Sequence, residues 1–413
     1  MYPMSVTNWA GNVVFGARAL HRPTTVSEVQ ELVARGGPLR VLGSGHSFNR
    51  MADTGGDLLT VADLPRLAEI SADRASVRID GGVRYGELAV LLEKEGLALH
   101  NLASLPHISV AGAVATATHG SGVRNGNLAT AVSRIEFVDG TGEQVTLSRG
   151  DAGFEGAVVH LGALGVVTSL TLDVRPAFEV RQYVYDQLRR TEIDAHLDEI
   201  LAGGYSVSLF TDWTSDDVNH VWLKRLETMS GDWFGARPAD GPRHPVPGMP
   251  ATNSTEQGGV PGPWHLRLPH FRMEFTPSAG QELQSEWHVA RENGLEALHA
   301  VAEIRDRVAP VLQVSEIRTV AADELWLSPN YRRDTLAVHF TWIADTDAVL
   351  PVVDLVEAAL APLDPRPHWG KIFTTDPLAL RSRYERFADF QALVRRYDPA
   401  GTFRNSWQEA ILG

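Results

Sequence analysis

Two short stretches carry residue types and spacings that chemistry can use. In Val41-Leu42-Gly43-Ser44-Gly45-His46-Ser47-Phe48-Asn49, two glycines bracket a serine and a histidine follows at once. Such glycines let the backbone take positive φ and approach a ligand with no Cβ in the way. Free N–H groups in a turn of this kind form a nest for phosphate oxygens, and His46 sets a nucleophilic imidazole beside whatever the turn cradles. The dinucleotide fingerprint G-x-G-x-x-G fails here, because Phe48 stands where the third glycine should be. The phosphate loop G-x-x-x-x-G-K-[ST] fails too, since no lysine follows. On this stretch alone, a tight turn with a satisfied histidine stays open. The second stretch runs from Leu102 to Gly122. There Ser104, Ser109, Gly112, Thr116, Thr118, His119 and Gly120 punctuate an apolar run.

A third group of candidates comes from strand parity. Side chains alternate faces along a strand, so Glu316 and Arg318 share one face of a strand over 313–320. Over 336–343 the same rule puts His339 and Thr341 on one face and Val338, Phe340 and Trp342 on the other. As neighbours in one sheet, Glu316, Arg318, His339 and Thr341 form a patch of donors and acceptors suited to a polyol. Periodicity alone fits a half-exposed sheet with a merely polar outer face better. Lys371, in H-W-G-K, sits in a block with few other charges.

The elements that must hold these residues alternate in the first part. Thr25-Val26-Ser27-Glu28 is a capping-box candidate, and Val26, Val29, Leu32 and Val33 follow at helical spacing until Gly36-Gly37. Residues 38–42 read as the strand that delivers the glycine turn. A helix is expected over 85–95 with Leu88, Leu91 and Leu92 inward and Gly96 at its end. Residues 132–138 and 143–147 read as a hairpin, and 161–174 as the last strand before Pro176. Beyond Ala177, strands are expected at 205–210 and 221–226. A loop from Trp233 to Trp264 follows, with seven prolines; its aromatics Trp233, Phe234 and Trp264 argue that it is ordered and packed over something. Helices are expected over 296–308 and 348–360.

Composition narrows the classes. A chain of 413 residues exceeds what one core usually organises. A formal charge of −14 argues against a nucleic-acid partner, which would require a basic face, and against an anionic membrane surface. With no cysteine, disulfides, thiol nucleophiles and zinc–thiolate sites are excluded. The 15 histidines show no H-E-x-x-H spacing, so no metal is expected. No apolar run nears the ~18 residues of a spanning helix, and the N-terminus lacks a signal-peptide pattern; the expected location is the cytoplasm.

Together, R-V-L-G-S-G-H-S-F-N and A-S-L-P-H-I-S-V-A-G-x-V-A-T-x-T-H-G-S-G resemble the flavin-binding half of the vanillyl-alcohol oxidase family. P-G-P-W-H, S-E-I-R-T-V, H-F-T-W and R-P-H-W-G-K resemble its sugar-alcohol branch, the alditol oxidases. The resemblance implies an α+β fold: a two-part FAD-binding domain of the vanillyl-alcohol oxidase type, residues 1–177 completed by 372–413. A substrate domain of antiparallel sheet and helices, 178–371, is inserted between. It implies FAD covalently bound from the His46 imidazole to the flavin 8α-methyl. The cofactor contacts implied are Val41, Leu42, Gly43, Ser44, Gly45, His46, Ser47, Ser104, Ser109, Gly112, Thr116, Thr118, His119, Gly120, Val166 and His368. It assigns substrate to Ser104, Glu316, Arg318, His339, Thr341 and Lys371, of which Arg318, Lys371 and Glu316 are catalytic. The expected reaction takes the terminal alcohol of alditols such as xylitol and sorbitol to the aldose by hydride transfer to flavin N5. Dioxygen then goes to hydrogen peroxide. A small polyol and dioxygen are the expected partners and a monomer the expected state. Two alternatives stay open: a sugar-1,4-lactone oxidase or dehydrogenase of the same family, for which small Ala103 leaves room near the ring without proving oxygen access, and a carbohydrate-binding protein.

Overall fold

The computed structural model describes residues 6–276 and 281–413. The first five residues of the expected FAD-binding unit therefore lie outside the described residues. Local signals explain most elements. Thr25 caps the Val26–Ala34 helix by accepting from the Glu28 N–H, and the Glu28 carboxylate reaches back to the Thr24 N–H, one residue earlier than a capping box requires. The Tyr85–Lys94 helix stops at Gly96, whose φ is 66°. Two expectations need correction. The strand expected from residue 161 begins at Gly165, because Leu161 and Gly162 take φ of 55° and 69° and Gly165 lies where a Cβ would be 2.2 Å from the Val138 carbonyl. The helix expected over 296–308 is two helices, Gly294–Glu303 and Arg305–Val308, broken where Ile304 takes φ −106° and ψ 10°.

The first part builds a three-stranded parallel sheet, which holds Leu39–Val41, and a five-stranded antiparallel sheet around Gly165–Asp173 and Val132–Asp139. Between them the chain takes a helix that the glycine pattern hid, Val110–Ala115. Tail residues Phe387, Phe390, Leu393 and Val394 share a core with Val77, Ile79, Phe137 and Leu170 of this part. The backbone ties the same regions together: Leu39 N–H donates to Thr402 O at 2.8 Å and Gly140 N–H to Tyr397 O at 2.7 Å. That core also takes in Trp264, Trp326 and Trp369, so no clean seam separates the tail from the middle of the chain.

The middle of the chain builds a nine-stranded sheet. Its central strands are Ser206–Thr211, Leu312–Val320, Thr335–Trp342 and Leu283–Ala290, neighbours in that order and all antiparallel. One face is apolar: Ile317, Val338, Phe340, Trp287 and Leu283 pack under helices Arg190–Ala202, Gly294–Glu303 and Thr346–Leu360 through Ile200, Leu298, Val353 and Val356. The other face is polar yet buried, because it looks toward the first part of the chain rather than toward water. The loop after Trp233 is ordered. It adds short strands at Arg237–Pro238 and Pro261–Pro263 to the sheet edge, and Trp233 and Trp264 are buried.

A candidate flavin and polyol site

A continuous cavity runs between the glycine turn and the polar face of the sheet. On the first side it is lined by Val41, Leu42, Gly43, Ser44, Gly45, His46 and Ser47, and by Ser104, Ser109, Gly112, Thr116, Thr118 and His119. Glu316, Arg318, His339, Thr341, His368 and Lys371 line the other. Two expected cofactor contacts do not line it. Val166 turns its side chain into the core beside Val29, Val33 and Leu39, while its strand neighbours Gly165 and Val167 face the cavity. Gly120 lies where a Cβ would be 2.4 Å from the Leu102 carbonyl, so its part is close packing of one stretch on another.

The glycine turn is held from several sides. Trp9 N–H donates to Gly45 O at 2.8 Å, and the Trp9 ring stacks on His46 with centroids 5.0 Å apart and planes 18° apart. Gly45 takes φ 73°. A Cβ on Gly43 would sit 2.6 Å from Ser109 Oγ, so any larger residue here would push that hydroxyl aside. Ser109 N–H donates to Ser44 Oγ at 3.2 Å. Asn49 Nδ2 donates to Trp369 O at 2.7 Å and Lys371 O at 2.9 Å, which couples the turn to the H-W-G-K block. Among the described residues the Ser109 hydroxyl has no hydrogen-bond partner, and the His46 ring nitrogens make no well-formed one, with the Ser44 backbone near enough to favour a proton on the ring. Burial pushes His46 down to about 4, so its imidazole is neutral and keeps a free lone pair at ordinary pH. A nest of backbone, an orphaned hydroxyl and a neutral imidazole are what a flavin dinucleotide requires of this wall, so FAD fits. Arg40, buried below the turn, gives its guanidinium to the carbonyls of Met51, Leu161, Gly162 and Phe403 and lines the same end.

Register builds the opposite wall. Glu316, His339 and Glu286 face one another across three adjacent strands in one row, and Val314, Thr341 and Gln284 form the next. Glu286 lies at the centre. It accepts from Arg318 Nη2 at 2.7 Å and from Lys371 Nζ, and His119 Nε2 lies 3.1 Å away. Burial pushes Glu286 up, but Lys371, Arg318 and His119 more than offset this and hold it well below the usual carboxylate range. Burial likewise opposes Glu316, and Arg318 and His270 hold it low. Lys371 is pulled below its ordinary value by burial, against the attraction of Glu286. Lys371 also donates to His339 Nδ1 at 2.8 Å. An ammonium only donates, so the His339 proton is on Nε2, 3.0 Å from Thr341 Oγ1. Two carboxylates and two fixed cations, all buried, thus nearly cancel in this pocket.

His119, Glu286 and His288 come within 4.8 Å of one another through their possible ligand atoms. This donor set does not fit a resident metal, because Glu286 is already shared by two fixed cations that would repel a third. Glu286, Gln284 and His270 were not singled out from the sequence. For Glu286 and Gln284 the signal existed: in L-Q-S-E-W-H-V-A, Gln284, Glu286 and His288 alternate with larger or smaller core residues.

The fold and this two-walled cavity define a flavin-dependent oxidoreductase. Residues 17–148 match the model of the FAD binding domain and 278–411 that of D-arabinono-1,4-lactone oxidase. The chain is 55% identical over 412 residues to an alditol oxidase of Streptomyces sp. strain IKD472, covering 99% of each. It is 31% identical to an L-gulono-1,4-lactone dehydrogenase of Mycobacterium tuberculosis, covering 98% of this chain and 99% of that one. Among solved structures, a solvent-stable cholesterol oxidase superposes with a TM-score of 0.81 at 14% identity over 100% of this chain and 98% of its own, a likeness of fold. The chain belongs to the alditol oxidases, within the vanillyl-alcohol oxidase family of flavoproteins.

Proposed function

We propose that the protein oxidises the terminal primary alcohol of alditols such as xylitol and sorbitol to the aldose, with dioxygen reduced to hydrogen peroxide. The observation that carries this is Arg318 and Lys371 converging on Glu286 in the cavity that also holds the His46 turn. FAD, when bound, supplies the acceptor for a hydride that no side chain could take. The residues of the chain place the substrate and compensate charge. Arg318 and Lys371 hold the terminal hydroxyl and stabilise the negative charge on its oxygen when its proton passes to a basic group of the pocket as hydride leaves carbon. Glu316 accepts from a neighbouring hydroxyl, and Ser104, His339 and Thr341 read hydroxyls farther along. The buried, neutral His46 supports a covalent bond to the flavin, with His368 beside it. Residues 1–177 and 372–413 then act as the FAD-binding unit and 178–371 as the substrate unit, in a cytoplasmic monomer; among the described residues, no helix is long and apolar enough to cross a membrane.

A second reading, oxidation of a sugar-1,4-lactone, rests on the D-arabinono-1,4-lactone oxidase match over 278–411. Oxygen consumption measured over alditols of three to six carbons, beside L-gulono-1,4-lactone, separates the two. Peroxide formed from five- and six-carbon alditols is the expected result, and turnover of the lactone alone would replace the first reading by the second.

A further inference from the structure

We propose that Lys224 and His270 are positioning residues for the polyol site: Lys224 sets the tautomer of His270, and His270 holds Glu316 in place. This rests on the polyol reading for the role of Glu316. Lys224 lies on the Val218–Arg225 strand and is 1% exposed. Its ammonium meets three acceptors of one turn: the Leu268 carbonyl, the Pro269 carbonyl at 3.3 Å and His270 Nδ1 at 3.0 Å. Since an ammonium has no lone pair, Nδ1 must accept and the ring proton must sit on Nε2. His270 Nε2 is 2.7 Å from Glu316 Oε1, and Arg318 Nε is 3.5 Å from the other carboxylate oxygen. The reverse tautomer would set two lone pairs against each other at the shorter contact. Phe210 and Trp222 stand edge-on to the His270 ring, with centroids 5.5 and 5.1 Å away, and back it on the side away from the cavity that it lines.

The same turn reaches the flavin wall. His270 and Phe271 N–H donate to Ser104 O at 3.1 and 3.3 Å. One short segment therefore keys Ser104 on one wall to Glu316 on the other. An apolar side chain as long as lysine would fill the space behind it without the cost of burying an ammonium; what lysine adds is the donors. Burial pushes Lys224 down to about 7, with Glu316 drawing it up and Arg318 pressing it further down. His270 is pushed to about 4 by burial and then by Lys224, with Glu316 opposing and Arg318 reinforcing. Glu316 itself faces Arg318, His270 and His339. As pH rises past neutral, a neutral Lys224 amine can accept from His270 Nδ1–H, and Glu316 then loses its donor.

The test is anaerobic reduction of the flavin by xylitol in the whole holoenzyme, followed by stopped flow from pH 6 to 9. Lys224→Met is expected to raise half-saturation about tenfold, the scale of one hydrogen bond to a charged group, with a much smaller change in limiting rate. Added to Glu316→Gln it should cost less than about twofold more, because the relay ends on Glu316. Lys224→Arg, which keeps its charge, should abolish the alkaline rise in half-saturation, and His270→Gln should recover part of what His270→Ala loses. Losses that multiply in the double variant, or an alkaline rise that persists in Lys224→Arg, would overturn the proposal, and the second applies even where Lys224→Met does not fold. If xylitol fails to reduce even the parent flavin, the polyol reading falls. The relay is then decided by imidazole 15N spectra, in which the signal lost in His270→Gln must report Nε2–H; the opposite tautomer would overturn it.

Discussion

The two walls of the cavity treat their polar groups in opposite ways. On the glycine side, among the described residues, the buried Ser109 hydroxyl has no partner and the buried His46 ring has nothing beyond the Ser44 backbone. On the sheet side Glu286 alone meets Arg318, Lys371 and His119, and Glu316 meets His270 and Arg318. Burying a polar group without a partner is costly, so the first wall is shaped around a large ligand that supplies the partners. The second wall is shaped around itself. Its charges are balanced before any substrate arrives, which keeps the donors aimed and lowers the reorganisation needed when charge develops. A small polyol need only exchange a few contacts there.

The largest break in this comparison comes from His46→Ala. Flavin colour should no longer follow the polypeptide through acid denaturation, read by fluorescence of the precipitated band. Colour that stayed with the variant polypeptide would remove His46 as the anchor. Next, Arg318→Met and Lys371→Met should each slow the limiting rate of flavin reduction by about 10²–10³, the usual cost of removing one preorganised donor. A normal limiting rate with weakened affinity in Lys371→Met would leave the charge-compensating role to Arg318. Gly43→Ala should lower flavin content by turning the Ser109 hydroxyl aside, with little change in stability, seen by the ratio of flavin to protein absorbance and by thermal unfolding. Thr341→Ala should cost least, about 0.5–1.5 kcal/mol, and chiefly in half-saturation. Equal losses of limiting rate in Thr341→Ala and Lys371→Met would erase the division between charge and hydroxyl recognition.

Acid also sharpens the contrast. Burial holds His160 and His270 at about 4 in the folded chain, against about 6.5 when unfolded. Between those values the unfolded chain binds more protons, so the stability present above 6.5 is lost as pH falls toward 4. Melting temperature should drop over that window against the opposing contribution of Asp323, which burial raises to about 7, and His160→Gln should flatten part of the slope; a slope unchanged in His160→Gln would contradict the buried, neutral state of that ring.

Much of the sheet wall was legible because a strand repeats every two residues: once Glu316 and Arg318 shared a face, the pairing with His339 and Thr341 needed only adjacency, and the structure supplies it. What periodicity could not say is whether that polar face met water. It is buried because another part of the chain covers it, a long-range fact that no local pattern encodes. Glu286 escaped notice for a related reason, since the Leu283–Ala290 strand mixes Ser285 into its apolar face and reads weakly. The glycine turn was legible as a cradle, whereas the Val110–Ala115 helix behind it was not, because Gly112 and Ala115 look like loop and filler until Ser109 and the turn pack on them. His270 had no signal of its own; its meaning comes wholly from Lys224, 46 residues away.

The bonds that tie Leu39 to Thr402 and Arg40 to Phe403 have a bearing on synthesis. The large sheet between them draws its strands from residues 179–367, so it can close while the chain is still emerging from the ribosome. The strand that ends in the glycine turn cannot. It waits through more than three hundred residues of translation for its last partners, with Arg40 lacking one of the carbonyls that surround it. The flavin wall is therefore completed only when the tail arrives, and capture of the cofactor would be among the last events in making the enzyme.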